Sequence, residues 1–138
     1  MFQWLTRIWK RRELPGRAGE RLAEQFLRRE HRMRTLSRGW FFRRGELDLV
    51  MADGDTVVFV EVKTRESTQR GRPEEFVTHL KQQRLTRAAL VYLKRRGWLG
   101  RRSRFDVVAI TMQSGGNPPE IRYFPAAFEA QRGESFYG

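Results

Sequence analysis

A chain of 138 residues with 39% apolar residues, four Trp and ten Phe is long enough for one domain with a real core. Its 28 basic against 16 acidic residues leave a formal charge of +12, which favours polyanions through counterion release and puts nucleic acid first among partners; an anionic membrane surface or a solubilising coat is the plainer alternative. The absence of cysteine excludes a disulfide frame and thiolate chemistry. No apolar run reaches the length of a membrane span or a signal-peptide core, so the expected location is the cytoplasm.

Residues 1–15 read as a basic and aromatic arm, with Phe2, Leu5 and Trp9 at helical spacing beside Lys10, Arg11 and Arg12. The stretch is too short to be a stable helix alone and reads as a frayed arm or a short packing helix. Leu14-Pro15-Gly16 breaks the chain, and a single domain is expected over residues 16–130. Its first element is a helix over residues 17–31, striped by Ala18, Leu22 and Phe26 with Ala23 beside them. Glu20, two turns before Leu27, lies at the edge of that stripe. It either looks into a site or is a first-turn acid favoured by the helix dipole. His31 reads as a helix C-terminal residue rather than a metal ligand. Residues 33–42 read as a strand leading into the turn Arg43-Arg44-Gly45.

The stretch from Gly45 to Lys63 organises the rest. Two apolar runs flank Asp53-Gly54, the strongest short-range hairpin signal. With those two residues as the loop, Ala52 pairs with Asp55, Glu46 lies opposite Glu61 and Asp48 opposite Phe59. Glu46, Asp48, Glu61 and Lys63 then share one face. Like charges facing one another across a sheet are destabilising, so a cation is required: a hard divalent ion, or the ammonium of Lys63 together with Arg44. A one-residue slip would send Asp48 to the other face.

Residues 64–75, rich in Arg, Ser, Gly and Pro, read as a flexible loop beside the site end of the strand, fit either to hold substrate or to act as a solvated connector. A second helix is expected over residues 76–96, with Leu85, Ala88, Ala89 and Tyr92 on one face. Lys81 is on that face too, and either snorkels outward or reaches a phosphate. Gly97 stops the helix. Residues 105–110 form a short buried strand with Asp106 at its mouth paired to a nearby Arg. A loop over residues 115–119, an edge strand over residues 121–124 and a loose tail over residues 131–138 complete the chain.

Three carboxylates and a Lys on one face of a basic chain suit metal-assisted phosphodiester hydrolysis. Asp48 and Glu61, with Glu46 nearby, would hold Mg²⁺ or Mn²⁺, and Lys63 would orient water or neutralise developing charge. His31 and His79 are far apart in the chain, and no Gly-rich phosphate loop occurs. Gly45-Glu46-Leu47-Asp48-Leu49 and Phe59-Val60-Glu61-Val62-Lys63-Thr64-Arg65, with Gly16-Arg17-Ala18-Gly19-Glu20 upstream and Arg104-Phe105-Asp106-Val107 downstream, resemble the YraN-like endonuclease family of bacteria, within the PD-(D/E)xK nuclease superfamily.

The resemblance implies a restriction-endonuclease-like α/β fold, an αβββαβ core whose mixed central sheet is flanked by helices. It implies Asp48 and Glu61 as metal ligands, Lys63 as the catalytic Lys, Glu20 as an assisting carboxylate and Lys81 as a basic residue of the second helix. Leu47 stands where the superfamily name has Pro, which supplies no ligand. The family's likeness to archaeal Holliday junction resolvases implies branched DNA and a homodimer, neither of which the residues themselves read out.

Arg43, Arg44, Arg65, Arg70, Arg72 and Lys81 are the residues expected to meet nucleic acid. Two other readings compete with the nuclease. A module that clamps structured nucleic acid without cutting has no use for three acids beside phosphates. A scaffolding protein that uses the aromatic arm would lock those acids into surface ion pairs, which contribute at most about 1 kcal/mol each.

Overall fold

The structure, a computed structural model, describes residues 3–5, 17–66 and 77–131. In chain order these form helix α1 (Arg17–His31), strands β1 (Arg34–Phe42), β2 (Gly45–Asp53) and β3 (Thr56–Glu66), helix α2 (His79–Arg95), and strands β4 (Ser103–Met112) and β5 (Glu120–Phe128). The strands make one sheet in the order β1-β2-β3-β4-β5. Every neighbouring pair is antiparallel except β3–β4, which is parallel and joined by the crossover that carries α2. This is the expected mixed α/β core with an edge strand added.

The two faces of the sheet carry separate cores. Leu22, Ala23, Phe26 and Leu27 of α1 pack with Leu49, Met51, Val58, Val60, Val108 and Ile110. Leu85, Ala88, Ala89 and Tyr92 of α2 pack on the other face with Leu47, Val50, Val57, Phe59, Phe105 and Val107. Of the N-terminal arm only residues 3–5 are described. Trp4 and Leu5 are buried in the α1 core, and Trp4 Nε1 donates to Glu30 Oε1 at 3.1 Å.

The central hairpin differs from the expected register. Ala52 pairs with Val57, Val50 with Phe59 and Leu49 with Val60, so the loop is Gly54-Asp55 rather than Asp53-Gly54. The pairs of Ala52 with Asp55, Glu46 with Glu61 and Asp48 with Phe59 do not form. Gly54 takes the first loop position at φ 58°, where a two-residue hairpin of this kind needs a residue without Cβ. The offset is two residues, and an even shift returns each β3 side chain to the face it had. Residues 64–66 are not loop: Thr64, Arg65 and Glu66 continue β3 and pair with Ile110, Thr111 and Met112 of β4. The parallel partner supplies hydrogen bonds that the polar sequence by itself does not announce.

Helix α2 begins at His79, later than the expected residue 76, because Thr78 caps it by accepting from the Lys81 N–H at 3.2 Å. Strand β4 runs two residues beyond each end of the apolar run at residues 105–110. Strand β5 is also longer than the expected residues 121–124; it tolerates Pro125 because it lies at the sheet edge.

Candidate metal and catalytic site

The site lies where β2 and β3 part. Their ladder begins at Leu49–Val60, and beyond it the Asp48 side chain takes over a strand partner's role: Asp48 Oδ2 accepts the Val62 N–H at 2.9 Å. The in-and-out alternation of β2 breaks at the same residue. Leu49 faces the α1 core and Leu47 the α2 core, although they are two residues apart. On β1 the break falls at Gly39, φ 57°: Arg38 bonds Glu24 of α1, whereas the Trp40 ring meets Tyr92 of α2. Asp48 is thus directed along the sheet into the fork, not squarely to one face.

Two glycines let both helices reach that fork. A Cβ on Gly45 would come within 2.5 Å of the Arg84 carbonyl oxygen and 3.0 Å of Ala88 Cβ, so only Gly admits α2 so close to β2. A Cβ on Gly19 would strike Thr64 Oγ1, so Gly there seats the first turn of α1 against β3. Glu20, the next residue, is carried to the strands, and carboxylate oxygens of Glu20, Glu46 and Asp48 lie within 4.8 Å of one another. Asp48 and Glu46 also line a pocket of about 210 Å³ with Glu61, Lys81, Arg44 and Arg84.

The electrostatics are those of crowded acids. Burial, then the Glu61 charge, pushes the Asp48 carboxyl up to about 8. Burial and then Glu46 raise the Glu20 carboxyl. Glu61 is 4% exposed; Lys81 Nζ pairs with its Oε1, while Oε2 is buried without a hydrogen-bond partner among the described residues. Burial opposes the Lys81 ammonium, yet its bond to Glu61 outweighs that and the net shift is upward. Lys63 moves the other way, lowered by burial and then by the neighbouring Lys81 charge.

A cation fits this donor set. The available atoms are carboxylate oxygens, the ligands of hard divalent ions, and the buried Glu61 Oε2 has no hydrogen-bond partner among the described residues. Glu20, Glu46 and Asp48 are the three acids whose oxygens come within 4.8 Å of one another, and Glu61 lines the same pocket as Glu46 and Asp48 while paired with Lys81.

The other sequence-derived residues divide. Arg44 lines the pocket; Arg43, φ 54°, occupies the β1–β2 turn with its guanidinium 5.3 Å from the Phe42 ring. Arg65 lies within β3, and its Nε donates to Thr111 Oγ1 at 3.2 Å. Lys81 turns inward to Glu61. Arg70 and Arg72 lie outside the described residues, as does most of the expected loop over residues 64–75. His31 is an aromatic packing residue, its ring 5.1 Å from Phe26 and 4.7 Å from Tyr123.

Sequence reasoning missed Arg84 in the pocket, although its place one helical turn after Lys81 was a usable signal. It also missed the buried Glu24, which accepts from Thr35 and Arg38 and ties α1 to β1. No spacing rule joins those three residues.

An α/β sheet opened at its centre, with acids from one helix and two strands gathered beside paired lysines, defines a protein with a potential acidic metal site. Among the described residues no helix is long and apolar enough to cross a membrane. The chain belongs to the Uncharacterised protein family UPF0102, whose model matches residues 19–110. It is 46% identical over 114 residues to a UPF0102 protein of Geobacter metallireducens, covering 83% of this chain and 91% of the relative. Similar proteins occur in Pseudomonas aeruginosa, 45% identical with 83% and 92% covered, and in Stutzerimonas stutzeri, 47% identical with 83% and 94% covered.

Proposed function

We propose that this protein is a metal-dependent endonuclease of the PD-(D/E)xK type that hydrolyses phosphodiester bonds in DNA, with branched or structured DNA as the substrate class and Mg²⁺ or Mn²⁺ as the ion. The observation that carries the reading is the gathering of Glu20, Glu46 and Asp48 at the fork, beside a buried Glu61 oxygen that has no hydrogen-bond partner among the described residues. The net charge of +12 supports a polyanionic substrate, since carboxylates this dense would otherwise repel phosphate.

In this reading Asp48, Glu46 and Glu61 hold the ion and Glu20 assists. The bound ion supplies Lewis acidity toward the phosphate and acidifies a water. Lys63 orients the attacking water and neutralises charge that builds on the phosphate. Water adds to phosphorus, a P–O bond to sugar breaks, and the proton from water passes to the leaving alkoxide. Lys81 acts as the positive partner of Glu61 when no ion is bound. Arg44 and Arg84 at the pocket rim hold the flanking phosphates.

A non-cleaving nucleic-acid binder is the second reading, favoured by Lys81 already neutralising one buried acid. The experiment compares wild type, Asp48→Asn and Lys63→Ala on flapped and four-way DNA with Mg²⁺, Mn²⁺ or EDTA. The nuclease reading expects metal-dependent cleavage by wild type alone, with binding kept by both variants. Tight binding without cleavage across metals and DNA structures selects the second reading.

A further inference from the structure

The arginines at the far end of α2 belong to a row that starts at the pocket rim. Arg43, beside the pocket residue Arg44, sits 5.3 Å from the Phe42 ring centre, and Arg95 shares that ring at 5.9 Å. Arg95 also lies 5.6 Å from Trp40, whose ring meets Tyr92 edge-on at 5.2 Å. Arg96 covers Tyr92 at 3.8 Å and reaches Trp98 at 5.8 Å, and Arg101 covers Trp98 at 4.5 Å. The four arginines and four rings thus form one run, with Arg95 bridging Phe42 and Trp40 and Arg96 bridging Tyr92 and Trp98.

All four are exposed, and no acidic side chain among the described residues pairs with any of them. A guanidinium parked on a ring loses less freedom on binding and keeps its in-plane donors available. Arg96 is fixed further by donating to Ser37 Oγ at 3.0 Å. From Arg84 at the pocket to Arg95 the helix rises about 16 Å, close to five nucleotides of one strand at roughly 3.4 Å each along a duplex axis.

We infer that Arg43, Arg95, Arg96 and Arg101 form a rail that binds the phosphate backbone of a DNA duplex arm leading away from the pocket. The choice of DNA rests on the nuclease reading above; the rail itself rests on the ring-mounted arginines. A duplex fits better than an unpaired strand because guanidinium groups already cover these ring faces, which leaves them unavailable for stacking with bases. Spaced, rigid donors match a regular phosphate backbone.

The test uses the full chain in EDTA, a short labelled DNA duplex and the corresponding single strand. Arg95→Gln, Arg96→Gln and Arg101→Gln together should weaken duplex binding at least tenfold and lower the slope of log affinity against log salt by about 2.7, for three phosphate contacts. A control with Arg28→Gln, Arg32→Gln and Arg122→Gln removes the same charge from exposed positions elsewhere, and should keep most of the slope. Unchanged melting temperatures show that both variants fold.

Equal losses in the two triple variants would mean that net charge alone binds, and would overturn the rail. So would wild-type affinity in the rail variant, or tighter binding of the single strand. If the rail variant cleaves with an unchanged KM, the rail fails and the nuclease reading stands. If wild type never cleaves but the duplex-binding pattern holds, the rail stands and the nuclease reading fails.

Discussion

Asp48 carries two roles that pull against each other. Its carboxylate caps the Val62 N–H, which favours the charge, while burial and Glu61 disfavour it more strongly and push its pKa to about 8. The folded protein therefore holds a proton there, between about pH 4 and 8, that the unfolded chain does not. On this group's account stability falls as pH rises through that range. A divalent ion reverses the balance by displacing the proton, so its affinity should rise with pH up to about 8. Asp48→Asn should melt several degrees higher than wild type at pH 8 in EDTA, on the order of 1 kcal/mol, and should lose most of the Mg²⁺-induced rise in Tm. Calorimetry at pH 6 and 8, with and without Mg²⁺, measures both effects. A lower melting temperature for the variant in EDTA would show that the Asp48 charge is already compensated by the protein.

At the scale of elements, the site exists because two helices approach an opened hairpin more closely than ordinary side chains permit. Gly45 lies against the Arg84 carbonyl, and Thr78 sets the start of α2 so that Lys81 falls in its first turn. A Lys there is unfavourable to the helix dipole, and the buried Glu61 beneath it offsets that cost. Gly45→Ala should push α2 outward and cost about 2–3 kcal/mol, a larger penalty than an extra methyl on an open surface. Denaturant unfolding gives the stability. If the Gly45 contact sets the pocket, the Mg²⁺-dependent shift in Tm should shrink in the same variant. An effect below about 0.5 kcal/mol would mean that α2 moves freely away from β2.

Across the whole molecule, strands β2, β4 and β5 are tied together by a second acid. Asp106, fully buried, accepts from Arg104 Nε at 3.0 Å, Tyr123 Oη at 2.5 Å and the Ala126 N–H at 2.8 Å, where the β4–β5 register shifts. Arg104 also bonds Asp53 at the end of β2, so one network joins three strands. Asp106→Asn turns an acceptor into a partial donor among donors and should cost about 3 kcal/mol. Burial, and then the bond to Asp106, raises the Tyr123 pKa above the ordinary tyrosine value. Its contribution is full below that ordinary value and is lost as pH rises above it, so Tyr123→Phe should flatten the alkaline limb of the stability profile. Unfolding curves from neutral to alkaline pH read both effects. Wild-type stability in Asp106→Asn would remove the network from the account of the fold.

The sequence by itself determined the order of helices and strands, the extent of α1 and the acids and lysines that come near one another at the fork, though not Arg84. Apolar periodicity reports which way a segment faces, and Glu20, Asp48, Glu61 and Lys63 are chemically distinctive at their positions. Tertiary structure alone decided how these groups meet. The hairpin register depends on which loop position takes the positive φ, and the break at Asp48 needs Gly39 on the neighbouring strand. The extension of β3 to Glu66 needs β4, and the pairing of Glu61 with Lys81 needs a helix brought in over Gly45. Each of these is set by a partner distant in the chain, and local pattern carries no information about a contact whose other half lies elsewhere.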